Sequence, residues 1–95
     1  MGAWTIGVEI RGPRIDSLRF ARLLRALRRD CATFDAECEP PSEWLAVRGV
    51  VESRTPEEAL ASALGTINAA FDQAAIDMEH VSAIANVTLR HQLRA

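Results

Sequence analysis

The sequence predicts an α+β domain in which four strands and two helices follow one another in the order βαββαβ. Four segments alternate apolar and polar residues with the period of two that is typical of half-buried strands. Two other segments repeat apolar residues every three or four positions, as amphipathic helices do. Turn or capping residues separate the segments. We expect residues 1–95 to form a single domain, because 95 residues support one core.

The first strand and the first helix lie on either side of Gly12-Pro13. Proline has no amide hydrogen to continue a ladder, so we expect the strand to end at this pair. Asp16 or Ser17 can cap the helix that follows. The inward residues of the strand are Trp4, Ile6, Val8 and Ile10. The apolar face of the helix contains Phe20, Leu23, Leu24 and Leu27.

A hairpin follows, in which Pro40-Pro41-Ser42 forms the turn. Its first strand has the inward residues Ala32, Phe34, Ala36 and Cys38. Its second strand has the inward residues Leu45, Val47, Gly49 and Val51. The acidic residues that alternate with the first set, Asp35, Glu37 and Glu39, are typical of an edge strand that is protected from unwanted pairing.

The second helix begins with the clearest local signal in the chain. Thr55 is the expected cap, Pro56 the first helical residue, and Glu58 the third, which completes a capping box. The apolar residues Leu60, Leu64, Ile67 and Phe71 predict a helix that ends at about Ala75. The last strand runs from Val81 to Leu89. Its inward residues are Val81, Ala83, Ala85 and Val87.

Right-handed crossovers place the first and third strands in the centre of a four-stranded antiparallel sheet, with both helices on one face. This arrangement is the ferredoxin-like split βαβ sandwich. The rival is a three-stranded βαβαβ unit in which residues 31–39 form a loop. Such folds serve many functions, so a function has to be argued from surfaces and sites.

The uncovered face of the predicted sheet is the first candidate binding surface. Its candidate residues are Glu9, Trp44, Ala46, Arg48, Val50, Ile84 and Asn86. Trp44, Val50 and Ile84 make the face more apolar than contact with water requires. We therefore expect a homodimer in which two sheets pack face to face. One alternative is a ligand cleft between the sheets, as in a sensor or a dimeric α+β barrel-type enzyme. Another is scattered apolar residues without a function. We expect Glu9 to lie opposite Arg48 and to form an ion pair with it.

The outer face of the first helix is the second candidate surface, and it is basic. Its candidate residues are Arg19, Arg22, Arg25 and Arg29. Residues 11–29 contain seven arginines and one acid, Asp16, a polarity that suits an acidic protein or RNA. A solvated helix face is the simpler interpretation. Two observations argue against nucleic acid. The net charge is −2, and Trp44 is the only aromatic residue on the uncovered face of the two central strands.

Composition and spacing argue against several other classes. No apolar run approaches the roughly 20 residues of a membrane span, and the N-terminus has no export signal. Cys31 and Cys38 lie roughly 23 Å apart if both belong to one strand, too far for a disulfide, which favours the cytoplasm. These cysteines, with His80 and His91, lack the short spacing of a metal site. We expect a small, non-catalytic binding or assembly module without a cofactor or metal.

Overall fold

The computed structural model describes residues 2–76 and 82–92. The elements in chain order are β1 (Gly2–Ile15), α1 (Ser17–Asp30), β2 (Asp35–Glu37), β3 (Ser42–Ser53), α2 (Pro56–Gln73) and β4 (Ser82–Gln92). The strands form one sheet in the order β2-β3-β1-β4, and all neighbouring strands are antiparallel. The predicted α+β class, the two helices and the antiparallel sheet are confirmed.

The first strand is longer than predicted. β1 continues past Gly12-Pro13 to Ile15, which pairs with Ser42 after a shift of register. Gly12 has a φ of 125°, which residues with a side chain rarely adopt, and it produces the irregularity that carries the chain past the proline. If the segment after this irregularity is counted separately, the sheet has five strands, so the predicted element order is met only in part.

The second strand is shorter than predicted, because pairing with β3 is limited to three residues. Cys31 terminates α1 instead of starting a strand, and the Phe34 amide donates to the Cys31 carbonyl at 3.1 Å in a tight turn. Cys31 and Cys38 therefore do not belong to one strand, and the separation expected for two residues of one strand does not apply to them. Phe34 is buried as predicted, whereas Ala32 is exposed.

Both helices begin at the predicted caps. The Asp16 carboxylate accepts from the Arg19 amide at 2.8 Å, and the Thr55 hydroxyl accepts from the Glu58 amide at 3.2 Å. The capping box at α2 is only half formed, because the Glu58 carboxylate accepts from the Ser53 hydroxyl at 3.1 Å rather than from the backbone of Thr55.

The second helix ends two residues earlier than predicted, at Gln73. Ala75 has a φ of 58°, and the Ile76 amide donates to the Phe71 carbonyl at 3.0 Å. This left-handed residue and the long hydrogen bond form a Schellman-type helix end, in which alanine takes the place usually held by glycine.

The core lies between one face of the sheet and the two helices. Its largest fully buried side chains are Ile6, Ile10, Ile15, Leu23, Leu27, Leu45, Ile67 and Phe71. Two predicted inward residues of β4, Ala83 and Ala85, are exposed instead, and Leu64 is 37% exposed. The prediction was wrong here because the helix layer stops short of the outer edge of β4, from which Val87 reaches the core. The predicted inward residue Val81 lies outside the described residues.

Candidate binding surface on the open sheet face

The face of the sheet opposite the helices is here called the open sheet face. It is defined by the side chains of alternate residues, which the strand register places side by side. Its members are Thr5, Gly7, Glu9, Arg11, Asp35, Glu37, Trp44, Ala46, Arg48, Val50, Ile84, Asn86 and Thr88. All seven residues that the sequence indicated for this surface are among them.

Trp44 is held at one end of the face by a hydrogen bond. Its indole nitrogen donates to Glu9 Oε1 at 2.7 Å, and Arg11 Nη2 lies 4.0 Å from the same oxygen. A charged acceptor strengthens such a bond, so the large ring of Trp44 is fixed on the sheet instead of turning freely in solvent.

The expected ion pair between Glu9 and Arg48 is not formed. The register places Glu9 opposite Ala46 and Ile84, whereas Arg48 lies opposite Gly7 and Asp35. The two charged residues are therefore diagonal neighbours instead of partners, and the Glu9 carboxylate is already used by Trp44.

Gly7 forms the floor at the centre of the open sheet face. Arg48 lies beside it on β3 and Asn86 lies beside it on β4. A Cβ atom built on Gly7 would meet no atom within 4 Å, so the space above the backbone is empty. Glycine inside a strand weakens it and often marks a place where another group approaches closely.

The empty space belongs to an open depression of about 300 Å³. It is lined mainly by Gly7, Glu9, Glu37, Trp44, Ala46, Arg48 and Asn86. Five of the seven sequence-predicted residues thus surround one depression. Val50 and Ile84, the other two, lie on the same face outside it.

Arg48 lines the depression, and within the described part of the chain its guanidinium is available to an external anion. Arg48 is exposed, and no carboxylate among residues 2–76 and 82–92 lies within 4.0 Å of its guanidinium. Its neighbour on β2, Asp35, pairs instead with Arg28 of α1 at 2.8 Å. The depression therefore combines an aromatic ring, a cation, an amide and the carboxylates of Glu9 and Glu37 around a flat floor.

Three side chains for which the sequence indicated no hydrogen-bond partner close the β2 side of the sheet. The Thr33 hydroxyl donates to the Val50 carbonyl at 2.9 Å and accepts from the Val50 amide at 3.2 Å. The Ser42 hydroxyl makes the same two bonds to Trp44, at 3.2 and 3.0 Å. Asp35 Oδ1 accepts from the Ala36 amide at 2.9 Å. The only signal in the sequence is the preference of such residues for local backbone bonds.

The basic face of α1 is less free than the sequence indicated. Arg19 is engaged by the capping residue Asp16 at 3.1 Å. The remaining candidates, Arg22, Arg25 and Arg29, are exposed, and within the described part of the chain no carboxylate lies within 4.0 Å of them. The candidate surface therefore consists of three arginines instead of four.

The two cysteines are free thiols that pack partly against the core. Burial raises the pKa of the Cys38 thiol, the Glu39 carboxylate raises it further, and a hydrogen bond with Ser42 lowers it in part. The thiol of Cys38 is therefore protonated at neutral pH, a weak nucleophile. Cys31 Sγ lies 3.1 Å from the Thr33 hydroxyl.

Among residues 2–76 and 82–92, no group of three or more His, Cys, Asp and Glu side chains is placed to hold a metal ion. Neither helix has the length and apolar character needed to cross a membrane. The side chains of His80 and His91 are outside the described part of the structure.

A second depression, of about 400 Å³, lies between the end of α1 and α2. Cys31, Thr33, Ser62 and Thr66 are among its lining residues. Its lining contains two acids, Asp30 and Glu52, and no basic side chain, so it has no positive charge with which to attract an anion.

Comparison of the chain with protein-family models, with curated proteins and with solved structures gives no match.

Proposed function

We propose that this chain is a ferredoxin-like split βαβ domain that acts as a non-catalytic binding and assembly module in the cytoplasm, and that it forms a homodimer through the open sheet face. The strand order β2-β3-β1-β4 supports the fold assignment, because it places the first and third strands in the centre. Two free thiols are in keeping with a reducing compartment.

The observation that carries this proposal is the apolar character of a sheet face that no helix covers. Ile84 is 63% exposed, and Trp44, Ala46 and Val50 are only half-buried. They lie on β3 and β4 of the same face, with Glu9 between Ala46 and Ile84 and Arg48 between Ala46 and Val50, so the apolar side chains alternate with charged ones. Covering such a patch with a second protein surface releases ordered water and stabilises the complex.

The charges around the patch favour a second copy as the partner. The acids Glu9 and Glu37 and the bases Arg11 and Arg48 lie on the same face. When two identical faces meet across a two-fold axis, each residue that lies away from the axis contacts a different position of its partner. A surface with both signs can therefore place an arginine of one copy against an acid of the other.

The test is a comparison of oligomeric state by sedimentation at tens of micromolar. We expect the wild-type chain to associate and Trp44→Glu to associate more weakly, because the substitution puts a charge into the contact between the two faces. Ile84→Lys is a second variant that tests the same contact. Its new charge lies opposite Glu9, which keeps the monomer stable.

The matched control is Leu18→Glu, which also replaces an apolar residue by an acid. Leu18 is 61% exposed on α1, away from the open sheet face. We expect this variant to sediment like the wild type. A wild-type monomer, or association that has the wild-type strength in both Trp44→Glu and Ile84→Lys, would refute the proposal.

The depression supports a second candidate function, a small-ligand sensor or a dimeric α+β barrel-type enzyme. The specific observation is the empty space over Gly7 beside Arg48 and Trp44. An aromatic ring with a carboxylate would stack on the indole and pair with the guanidinium. Titration with benzoate, followed by tryptophan fluorescence, tests this function. Binding that is lost in Arg48→Gln would favour it, and unchanged fluorescence would exclude this class of ligand.

The exposed arginines of α1 support a third candidate, contact with an acidic protein or RNA. Arg22, Arg25 and Arg29 provide an attractive field, but α1 carries no aromatic residue other than the half-buried Phe20 for stacking on bases. A mobility-shift assay with single-stranded RNA at low and moderate salt tests this candidate. Absence of a shift at low salt would exclude RNA.

A further inference from the structure

The hydrogen bonds at the edge of β3 establish the direction of the main-chain groups across the whole sheet. In an antiparallel ladder, the amide and carbonyl of one residue point to one neighbouring strand, and those of the next residue point to the other. Thr33 binds both main-chain groups of Val50, and Ser42 binds both groups of Trp44. These groups therefore point away from β1.

The same alternation extends through β1 to β4. Val50 and Arg48 lie opposite Thr5 and Gly7, whose main-chain groups therefore point away from β3 and towards β4. Their partners on β4 are Thr88 and Asn86, which point back towards β1. It follows that the residues between them point outwards. The outward amides and carbonyls of β4 belong to Ala83, Ala85, Val87 and Leu89.

The two edges of the sheet differ in how these groups are satisfied. At the β2 edge, the outward amide of Ala36 is bound by Asp35, and the β3 groups on either side of β2 are bound by Thr33 and Ser42. At the β4 edge, the outward groups have no hydrogen-bond partner among residues 2–76 and 82–92.

The distribution of charge differs in the same way. Acids alternate along and after β2, at Asp35, Glu37 and Glu39, and such charges prevent edge pairing. From Ser82 to Leu89 the edge strand carries no charge at all. Natural sheets protect long apolar edges, so an unprotected one is a site for strand addition.

We propose that β4 pairs antiparallel with β4 of a second copy, so that two sheets join edge to edge. A second copy fits because residues 82–89 carry no charge, so no like charges meet where these residues pair with one another. The helix side of the contact also fits. Leu64 lies on the flank of α2 opposite Ser62 and Thr66, the residues that face β3, and so lies nearest to β4. Joining two copies covers Leu64 together with the exposed Ala83 and Ala85.

This contact is separate from the one on the open sheet face, because it uses main-chain groups at the edge instead of side chains on the surface. The two contacts are compatible, since joining two sheets edge to edge leaves both open sheet faces uncovered. The experiment below therefore follows backbone amides, which a face-to-face contact leaves exposed at this edge.

The test is residue-resolved amide hydrogen exchange by NMR over a range of protein concentrations. We expect the amides of Ala83, Ala85 and Val87 to become protected as the dimer forms. The amides of Ile84 and Asn86, which point to β1, serve as internal references that are protected at every concentration. Exchange of Ala83, Ala85 and Val87 that stays fast while the protein is dimeric would overturn the inference. A protein that stays monomeric at the highest concentration would also overturn it.

Ala85→Lys provides the matching variant, because residue 85 is exposed and a lysine there is tolerated in the single chain. The two lysines face each other if the contact is centred on residue 85 and lie diagonally in a neighbouring register, so in either case like charges approach and we expect the concentration-dependent protection to be lost. The control is Ala61→Lys on the exposed side of α2. This variant should leave the concentration-dependent protection of the β4 amides unchanged. Protection that persists in Ala85→Lys would contradict the inference. Protection that persists in Trp44→Glu would support the edge contact while excluding an effect of the face.

Discussion

Gly49 shows how one missing side chain sets the position of a buried ring. It lies on the core face of β3, and a Cβ atom built on it would overlap the ring of Phe34. Phe34 is 2% exposed and comes from the turn between α1 and β2, so this turn is packed into the core through the space that glycine leaves. The alternation of apolar residues predicted that Gly49 faces inwards, but not that an aromatic ring fills its place.

We therefore expect Gly49→Ala to lower the free energy of unfolding by about 1–3 kcal/mol, the usual range for overpacking a core. Urea denaturation measures this change. In a Phe34→Leu background the added methyl group has more room, so the same substitution should cost clearly less. Equal costs in both backgrounds would show that the ring of Phe34 is not the group that Gly49 accommodates.

At the scale of the element, the β2 edge is built from single hydroxyl groups as much as from a strand. Only three residues of β2 pair with β3, yet β3 extends for 12 residues. Thr33 continues the ladder beyond β2 by binding both main-chain groups of Val50. One side chain thus replaces the next residue pair of a longer strand.

Thr33→Val tests this function of the hydroxyl group with little change of shape. We expect the free energy of unfolding to fall by about 1 kcal/mol, because two hydrogen bonds are lost at a partly solvated site. The Val50 amide should exchange faster in the same variant. Thr33→Ser is the matched control, because it keeps the hydroxyl and should keep the Val50 amide protected. An equally protected amide in Thr33→Val would contradict this interpretation.

The extents of the strands could be predicted only where alternation alone decides them. β3 and β4 follow a clear period of two and were predicted within about two to three residues at each end, within the usual scatter of boundaries. β1 was predicted too short, because the conformational freedom of Gly12 outweighs the missing amide of Pro13. β2 was predicted too long, because side-chain bonds from Thr33 take the place of strand pairing. Such bonds compete with a ladder without changing the apolar pattern.

In the candidate site, too, the sequence predicted the face on which each residue lies but not its partners. Parity placed Glu9, Trp44 and Arg48 on one face, since a strand shows alternate residues to opposite sides. Partners across the strands depend on register, which parity does not determine. The expected Glu9–Arg48 pair was therefore wrong, and the bond from Trp44 to Glu9 could not be predicted. The same limit applies to Asp35, whose partner Arg28 comes from a different element.

At the scale of the whole molecule, the proposed dimer makes Gly7 a position where monomer stability and assembly oppose each other. Nothing in the single chain requires glycine at this position, because a Cβ atom there would meet no neighbour. Glycine inside a strand is destabilising by roughly 0.5–1 kcal/mol relative to alanine. The single chain is therefore less stable with glycine at residue 7 than with alanine, and glycine leaves the depression open. Such a glycine is expected where another surface approaches closely.

We expect Gly7→Ala to raise the free energy of unfolding by about 0.5–1 kcal/mol while weakening dimerisation. Urea denaturation and sedimentation measure the two effects separately. Gly65→Ala is a matched control, because a Cβ atom at this exposed position in α2 also meets nothing within 4 Å. It should raise stability by about 1 kcal/mol without changing the oligomeric state. Dimerisation of Gly7→Ala at wild-type strength would show that no surface approaches the floor of the depression.

The difference between the two edges also limits how large an assembly can become. If β4 pairs with β4, both unprotected edges are used up in a single step. The two edges that then lie on the outside are those of β2, where Asp35 already binds the Ala36 amide and acids repel a further strand. The joined sheet therefore has no end to which a third chain can add. An isologous contact of this kind closes on itself, so growth by strand pairing stops at two copies.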